Sequence, residues 1–461
     1  MSLVWRQVSA LLWKSWIQTK RSSGWFSFKA LLSNSILISA VLTTISLFAV
    51  TAVVRDRFLL VTLLEFFMIS IPFIMLMEEV VSRVMLEKIS KIREHFRIQG
   101  VGEVQYAFSY LLHYCRIATL WLIFPLITAL IKMEQLKLLD IANDCPMVVI
   151  IYFFALISAA AAAYAQCAFF DDSKIARFFV TFAWLTPALP VVTTYIVRFN
   201  GVQTTSDFED ILESVALVMQ YLHPAGFIAY NTSPLYESGI GYFPVRLFLI
   251  PFFQIPVYLS LGMYLHQVIK SKHGSSRPWD FFLNKSVKAT PAPVTPTAVD
   301  PTRFESTDTQ RPVGVVIEKV VKEFDGGSVV AVADLSLSVY ESEIFALLGH
   351  NGAGKTTLLE CLVGIQSVTH GRIIVNGFDI SENPTEARAS VGICPQFDAF
   401  YDNFKPLEML ELYGRLRGQH PAQAHSIAEM MLERMGLLKK MHSMAKDLSG
   451  GQKRKLSVGL A

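Results

Sequence analysis

The run Gly349-His350-Asn351-Gly352-Ala353-Gly354-Lys355-Thr356-Thr357 matches G-x-x-x-x-G-K-[ST] at every defined position. No other stretch constrains the fold as strongly, because a phosphate cradle of this kind sits between a strand and a helix. Its glycines let consecutive backbone N–H groups turn inward around phosphate oxygens, where a Cβ would intrude. Lys355 can reach the β- and γ-phosphates, and the Thr356 hydroxyl can ligate Mg²⁺. Upstream, Ile344 to Leu348 is a short apolar run that ends at Gly349, and it reads as a buried strand. Downstream, Thr356 to Val363 reads as a helix whose N-terminus faces the bound phosphate. The pattern implies a nucleoside triphosphate site.

The remainder of the chain is far more apolar than a soluble nucleotide-binding domain requires. Of 461 residues, 52% are hydrophobic, which points to membrane spans. Residues 1–29 mix Trp, Leu and Val with Arg6, Lys14, Lys20 and Arg21, as an amphipathic helix lying in the membrane interface does. Residues 30–270 hold six stretches long enough to cross a bilayer: 30–54, 58–77, 106–131, 146–170, 178–197 and 247–265. The N-terminal segment, the 83–97 connection, Lys174 with Arg177, and Lys270 with Lys272 carry the larger share of Lys and Arg. This places the N-terminus, and everything after residue 270, in the cytosol. The nearly apolar stretch 214–230 reads as a re-entrant or interfacial hairpin, since a seventh span would put the nucleotide site outside the cell.

Two features of the membrane half invite functional readings. Val81, Met85, Ile89, Ile92 and Phe96 recur at helical spacing, so the second span is expected to continue into the cytosol as one helix. That extension is either a solvated helix end or a lever acting on the nucleotide domain. Glu65 and Arg116 lie at similar depths in neighbouring spans, and intramembrane charges mark functional sites. They either pair with each other or reach separately for the headgroup region.

Residues 271–312 form a linker whose part from Lys285 to Pro312 holds five prolines among Thr, Ser and Ala, too poor in apolar residues for a core. Residues 313–461 then have the composition of a soluble α/β domain. Leu335, Leu337 and Val339 alternate with Ser336, Ser338 and Tyr340 as in a half-buried strand, and Gly371 to Val375 is a second strand before an Asn376-Gly377 turn. Pro406 to Leu416 and Ala422 to Met435 read as helices. Phe324 lies 25 residues before Gly349, where a ring can stack on a base, and the Gln396 amide can approach Mg²⁺ and the attacking water. In Leu448-Ser449-Gly450-Gly451-Gln452, Ser449 is a natural N-cap and the glycines leave backbone N–H groups open to an anion. The five cysteines show no C-x-x-C pair, so neither a zinc site nor a disulfide framework is indicated. A net charge of +3 gives no support for nucleic acid as a partner.

Together these motifs resemble the ABC transporters, and more narrowly their eukaryotic A subfamily. Residues 349–357 with His350, Val391-Gly392-Ile393-Cys394-Pro395-Gln396, the run from Leu448 to Val458, and Arg277-Pro278-Trp279 carry the likeness. The resemblance implies a six-span helical membrane domain joined to a P-loop nucleotide-binding domain, and ATP-driven movement of phospholipid or sterol. It implies that Phe324 takes the adenine, residues 349–357 the phosphates, and Thr356 with Gln396 the Mg²⁺, Lys355 and Gln396 serving catalysis. Ser449, Gly450, Gly451 and Gln452 would touch ATP held by a second nucleotide-binding half.

Two departures accompany the likeness. Only Arg55-Asp56-Arg57 separates the first two stretches, where relatives carry a large extracellular domain. The Asp-Glu strand and the switch His of the family have no counterpart before Ala461. The sequence is therefore read as a fragment of a longer transporter and, alone, as a chain with no Lys355-dependent ATPase. A truncated, ATP-binding regulatory subunit and a transporter of non-lipid cargo are the alternatives.

Overall fold

The computed structural model describes residues 3–21, 73, 76–121, 145–185, 245–269, 279, 311–324, 327–396 and 400–461. The chain divides into two compact units, one built from residues 8–90 and 103–272, the other from 1–7, 91–102 and 273–461.

The first unit is helical. It contains most of α1 (Leu3–Arg21), a helical stretch over 76–89, α3 (Glu103–Trp121), α4 (Cys145–Gln166), α5 (Ser173–Leu185) and α6 (Val245–Val268). Its core closes through small residues. Ala155 and Ala159 to Ala163 of α4 are buried, and α6 packs against that helix so tightly that a Cβ on Gly262 would lie 2.6 Å from the Tyr164 ring. Such small-residue seams let helices approach closely where water drives no association. Ser158 Oγ donates to Gln254 Oε1 at 3.0 Å across the same seam, and a His266 ring nitrogen lies 3.0 Å from the Tyr164 carbonyl oxygen. Within α6, the 20 residues Leu249–Val268 are long and apolar enough to cross a membrane, the one such helix among the described residues. Of the other expected spans, 30–54 lies outside the described residues, and so do most of 58–77 and the later parts of 106–131 and 178–197. Glu65 also lies outside them, whereas Arg116 is exposed on α3 with Nη2 3.3 Å from His113 Nδ1.

Charged groups are also buried in this unit. Lys14 Nζ and Glu87 Oε1 stand 2.7 Å apart, both side chains fully buried. The Tyr106 hydroxyl donates to the other Glu87 oxygen at 2.6 Å, and Lys14 Nζ lies 5.3 Å from the Tyr110 ring centroid. Arg83 donates to the Ser15 carbonyl oxygen and to Thr19 Oγ1 of α1. Paired and hydrogen-bonded in this way, the charges meet the condition on which ions enter a protein interior.

The expected single helix through residues 81–96 is corrected here. The helical stretch ends at Ile89, Lys91 takes a left-handed conformation (φ 56°), and a new helix, α2 (Ile92–Ile98), starts in the second unit. Val81, Met85, Ile92 and Phe96 are buried as the stripe required, but Ile89 is 41% exposed. The left-handed residue interrupts the helical periodicity, so one face cannot run through it.

The second unit holds a four-stranded antiparallel sheet in the order β2-β1-β3-β4, with β1 (Val313–Phe324), β2 (Val329–Tyr340), β3 (His370–Val375) and β4 (Phe378–Asp379). The β3–β4 turn is the expected Asn376-Gly377 pair, both residues at positive φ, as a two-residue hairpin of this kind needs. Under the sheet lies α7 (Lys355–Leu362); Ile317, Val320, Val332, Leu358, Cys361, Ile373 and Val375 form the core. The short α8 (Pro384–Ala389) follows, then a helical layer of α9 (Pro406–Leu416), α10 (Pro421–Arg434) and α11 (Gly450–Leu460). The small helix α2 seats on this layer: His95 and Phe96 pack against the Tyr413 ring, and Arg417 donates to Gln99 Oε1. Beside it, Gln7 Nε2 donates to the carbonyl oxygens of Gly100 and Leu416.

The expected buried strand Ile344–Leu348 is a second correction. The segment pairs with no strand among the described residues, and Ile344, Phe345 and Leu348 are 101%, 48% and 87% exposed. Only Leu347 packs on the core. An apolar run states that a segment can be buried; burial on both faces also needs ladder partners, which this segment lacks among the described residues.

Candidate nucleotide site

The P-loop joins this extended segment to α7. Gly352 (φ 82°) and Gly354 (φ 80°) both adopt the left-handed conformation, and Gly354 is the N-cap of α7. Left-handed turns at a helix N-terminus are the backbone a phosphate loop needs, and here Ala353 N donates to the His350 carbonyl oxygen at 3.2 Å. The site is shaped for glycine at one position in particular. A Cβ on Gly354 would lie 2.1 Å from the Ala331 carbonyl oxygen of β2, whereas one on Gly352 would meet nothing within 4 Å. Lys355 Nζ donates to the carbonyl oxygens of Gly349 and His350, each at 2.7 Å, so its ammonium lies over the loop. His350 turns a ring nitrogen to the Asn351 carbonyl oxygen at 2.9 Å. Asn351, Ala353 and Thr356 are exposed and Thr357 half-buried at the start of α7. At its far end, Arg388 donates to the carbonyl oxygens of Val363 and Gly364, a cation on the terminal carbonyls where the helix dipole favours it.

The contact at Gly354 also places the hairpin. Ala331 lies two residues beyond Val329, which pairs with Phe324 at the end of the β1–β2 ladder. The half-buried Phe324 ring therefore belongs to the hairpin end that touches the phosphate loop. Lys322 is a residue of this region to which sequence reasoning gave no role. It is 8% exposed, its Nζ lies 4.9 Å from the Phe324 ring centroid, and it donates to the Ser367 carbonyl oxygen at 2.8 Å. Burial lowers the pKa of its ammonium.

The remaining site residues lie on the helical layer. Ser449 caps α11 as expected: its Oγ accepts from Gln452 N at 3.4 Å, and Gln452 Oε1 accepts from Ser449 N at 3.0 Å. Gly450 and Gly451 have open space where a Cβ would stand. Gln396 is exposed at a bend. Arg454 of α11 donates to the Pro395 carbonyl oxygen, which ties the segment before Gln396 to the signature helix. Among the described residues, the side chains of Ser449 and Gln452 bond only within their own cap, so the structure does not join the signature to the P-loop. The glycine cradle and the adjacent aromatic ring fit a nucleoside triphosphate; Thr356 and Gln396 are the residues that would hold its Mg²⁺.

Comparison relates the chain to known proteins. Residues 332–461 match the family model described as ABC transporter. The human protein named phospholipid-transporting ATPase ABCA3 is 36% identical over 221 residues, 44% of this chain and 13% of that protein. Over 405 residues, 83% of this chain, ABC transporter A family member 2 of Dictyostelium discoideum is 27% identical and is covered to 24%. Rat ATP-binding cassette sub-family A member 7 is 29% identical over the same length, covered to 18%. A solved structure titled "Structure of ATP binding subunit of ABC transporter" aligns at 23% identity with a TM-score of 0.29, over 32% of this chain and 60% of that one. The chain spans between 10% and 24% of the length of these and similar curated relatives. By its nucleotide domain the chain is similar to the ABC transporters, residues 332–461 matching that family model. Within that class, relatives named as A-subfamily members extend the likeness across both units.

Proposed function

We propose that this chain supplies one nucleotide-binding half-site and a set of membrane spans to a transporter that uses ATP to move lipid across or out of the bilayer. The observation that carries the ATP reading is the approach of the Ala331 carbonyl oxygen to Gly354, which brings the Phe324 hairpin to the phosphate loop. Phe324 stacks on the adenine, residues 349–357 hold the phosphates with Lys355 as counter-charge, and Thr356 with Gln396 reach the Mg²⁺. Ser449 to Gln452, exposed at a capped helix N-terminus, offer their N–H groups to ATP on a second half. The seating of α2 on Tyr413 and Arg417, with the chain running from it into residues 76–89 and α3, supports its role in passing nucleotide-driven movement to the spans. The lipid cargo rests on relatives named phospholipid-transporting ATPases.

The test uses the chain reconstituted in proteoliposomes with a complete nucleotide-binding half of A-subfamily type. ATP-dependent movement of a headgroup-labelled phospholipid between leaflets is expected, with loss in Lys355→Ala. Movement that survives Lys355→Ala, or failure of azido-ATP to label the chain, would overturn the reading.

A further inference from the structure

We propose that Lys322 is a base-positioning residue: its ammonium fixes the Phe324 ring and polarises it for stacking on a purine. The inference rests on the ATP-site reading above and adds a residue to it. Lys322 sits two positions before the ring on β1 and is nearly fully buried. A buried ammonium needs partners, and no carboxylate lies within ion-pair distance among the described residues. What it has is the Ser367 carbonyl oxygen at 2.8 Å and the Phe324 ring at 4.9 Å. Ser367 lies in the loop that follows α7, so the lysine spans from the end of the P-loop helix to the aromatic ring.

Its ladder partner is Val332, next to the Ala331 whose carbonyl oxygen abuts Gly354. Three parts of the site therefore converge on one side chain: the hairpin, the segment after the P-loop helix, and the ring. A cation over one face draws electron density from the ring, which strengthens stacking by an electron-rich base on the rest of it. It also holds the ring against rotation, so less freedom is lost when the base binds. A neutral residue of equal length would fill the space without either effect.

The test is isothermal titration of the purified full chain with MgATP and, separately, with magnesium tripolyphosphate, which has the phosphates but no base. Thermal unfolding of each variant checks that it folds. Lys322→Met is expected to weaken ATP binding by about five-fold and to leave tripolyphosphate unchanged, and Lys322→Arg to restore ATP binding to within about two-fold. Equal weakening of both ligands in Lys322→Met would show a structural role and overturn the proposal. So would an unchanged ATP affinity in Lys322→Met when Phe324→Ala weakens it, which would leave the ATP site standing. If Phe324→Ala itself leaves ATP binding unchanged, the ring is not the base platform and both readings of it fall. Where Lys322→Met does not fold, the ratio of the two affinities in Lys322→Gln against Lys322→Arg gives the same decision.

Discussion

Replacing Gly354 by Ala separates two reasons for glycine in a phosphate loop. Any L-residue at its φ of 80° meets the left-handed penalty, roughly 1–2 kcal/mol. Gly352, at φ 82°, meets the same penalty, but a Cβ there has nothing within 4 Å. At Gly354 the new carbon would stand 2.1 Å from the Ala331 carbonyl oxygen, so the loop or β2 must give by more than an ångström. Overpacking of this kind costs roughly 1–3 kcal/mol, which raises the expected loss at Gly354 to about 2–5 kcal/mol. Because β2 pairs with the strand that carries Phe324, the displacement reaches that strand as well as the loop.

The unit carries its own reporter. Cys361 is fully buried in the core of this unit, and its alkylation under native conditions measures the opening of that core. Gly352→Ala is expected to raise the open fraction by the equivalent of about 1–2 kcal/mol, and Gly354→Ala by clearly more. Ala331→Gly should not rescue Gly354→Ala, because the obstructing atom belongs to the backbone. Equal protection of Cys361 in the two alanine variants, or rescue by Ala331→Gly, would refute the close-approach argument.

Two further outcomes follow from buried charge. Glu87→Ala strands the fully buried Lys14 ammonium and should destabilise the helical unit by roughly 3–5 kcal/mol, whereas Lys14→Met with Glu87→Leu should cost much less; thermal unfolding of both in detergent decides. His95, whose ring nitrogens have no hydrogen-bond partner among the described residues, has a pKa lowered to about 4 by burial. The unfolded chain then binds a proton that the folded chain refuses, so its contribution is complete above about pH 6.5 and is lost as pH falls toward 4. Its neighbour Glu94 is raised to about 7, by burial first and by Glu360 among the charges, and acts in the opposite sense, with stability present below about pH 4.5 and lost as pH rises through 7. Cys361 alkylation across pH should therefore show a weaker acid limb in His95→Leu and a weaker neutral limb in Glu94→Gln; an unchanged acid limb in His95→Leu counts against the burial argument.

The parts of the site that were legible in the sequence are those where a residue type is tied to a local conformation. Gly352, Gly354, the Asn376-Gly377 turn and the Ser449 cap all hold the backbone their chemistry requires, and α9 spans the expected Pro406–Leu416. What escaped were features set by partners or by broken periodicity. Ile344 to Leu348 has the composition of a core strand, but composition does not supply a ladder. Lys91 breaks the 81–96 stripe without a Gly or Pro to announce it, and the seat of Phe96 on Tyr413 is a contact distant in sequence. Lys322 shows the difficulty most plainly. Counting by twos from the buried Ile317 would turn 319, 321 and 323 inward and leave Lys322 on the outer face of β1. The register slips between Ile317 and Val320, where Lys319 takes φ 48°, and the buried positions become Val320 and Lys322. A one-residue bulge thus reverses the face of everything beyond it, and a lysine that alternation assigns to solvent arrives beside the Phe324 ring.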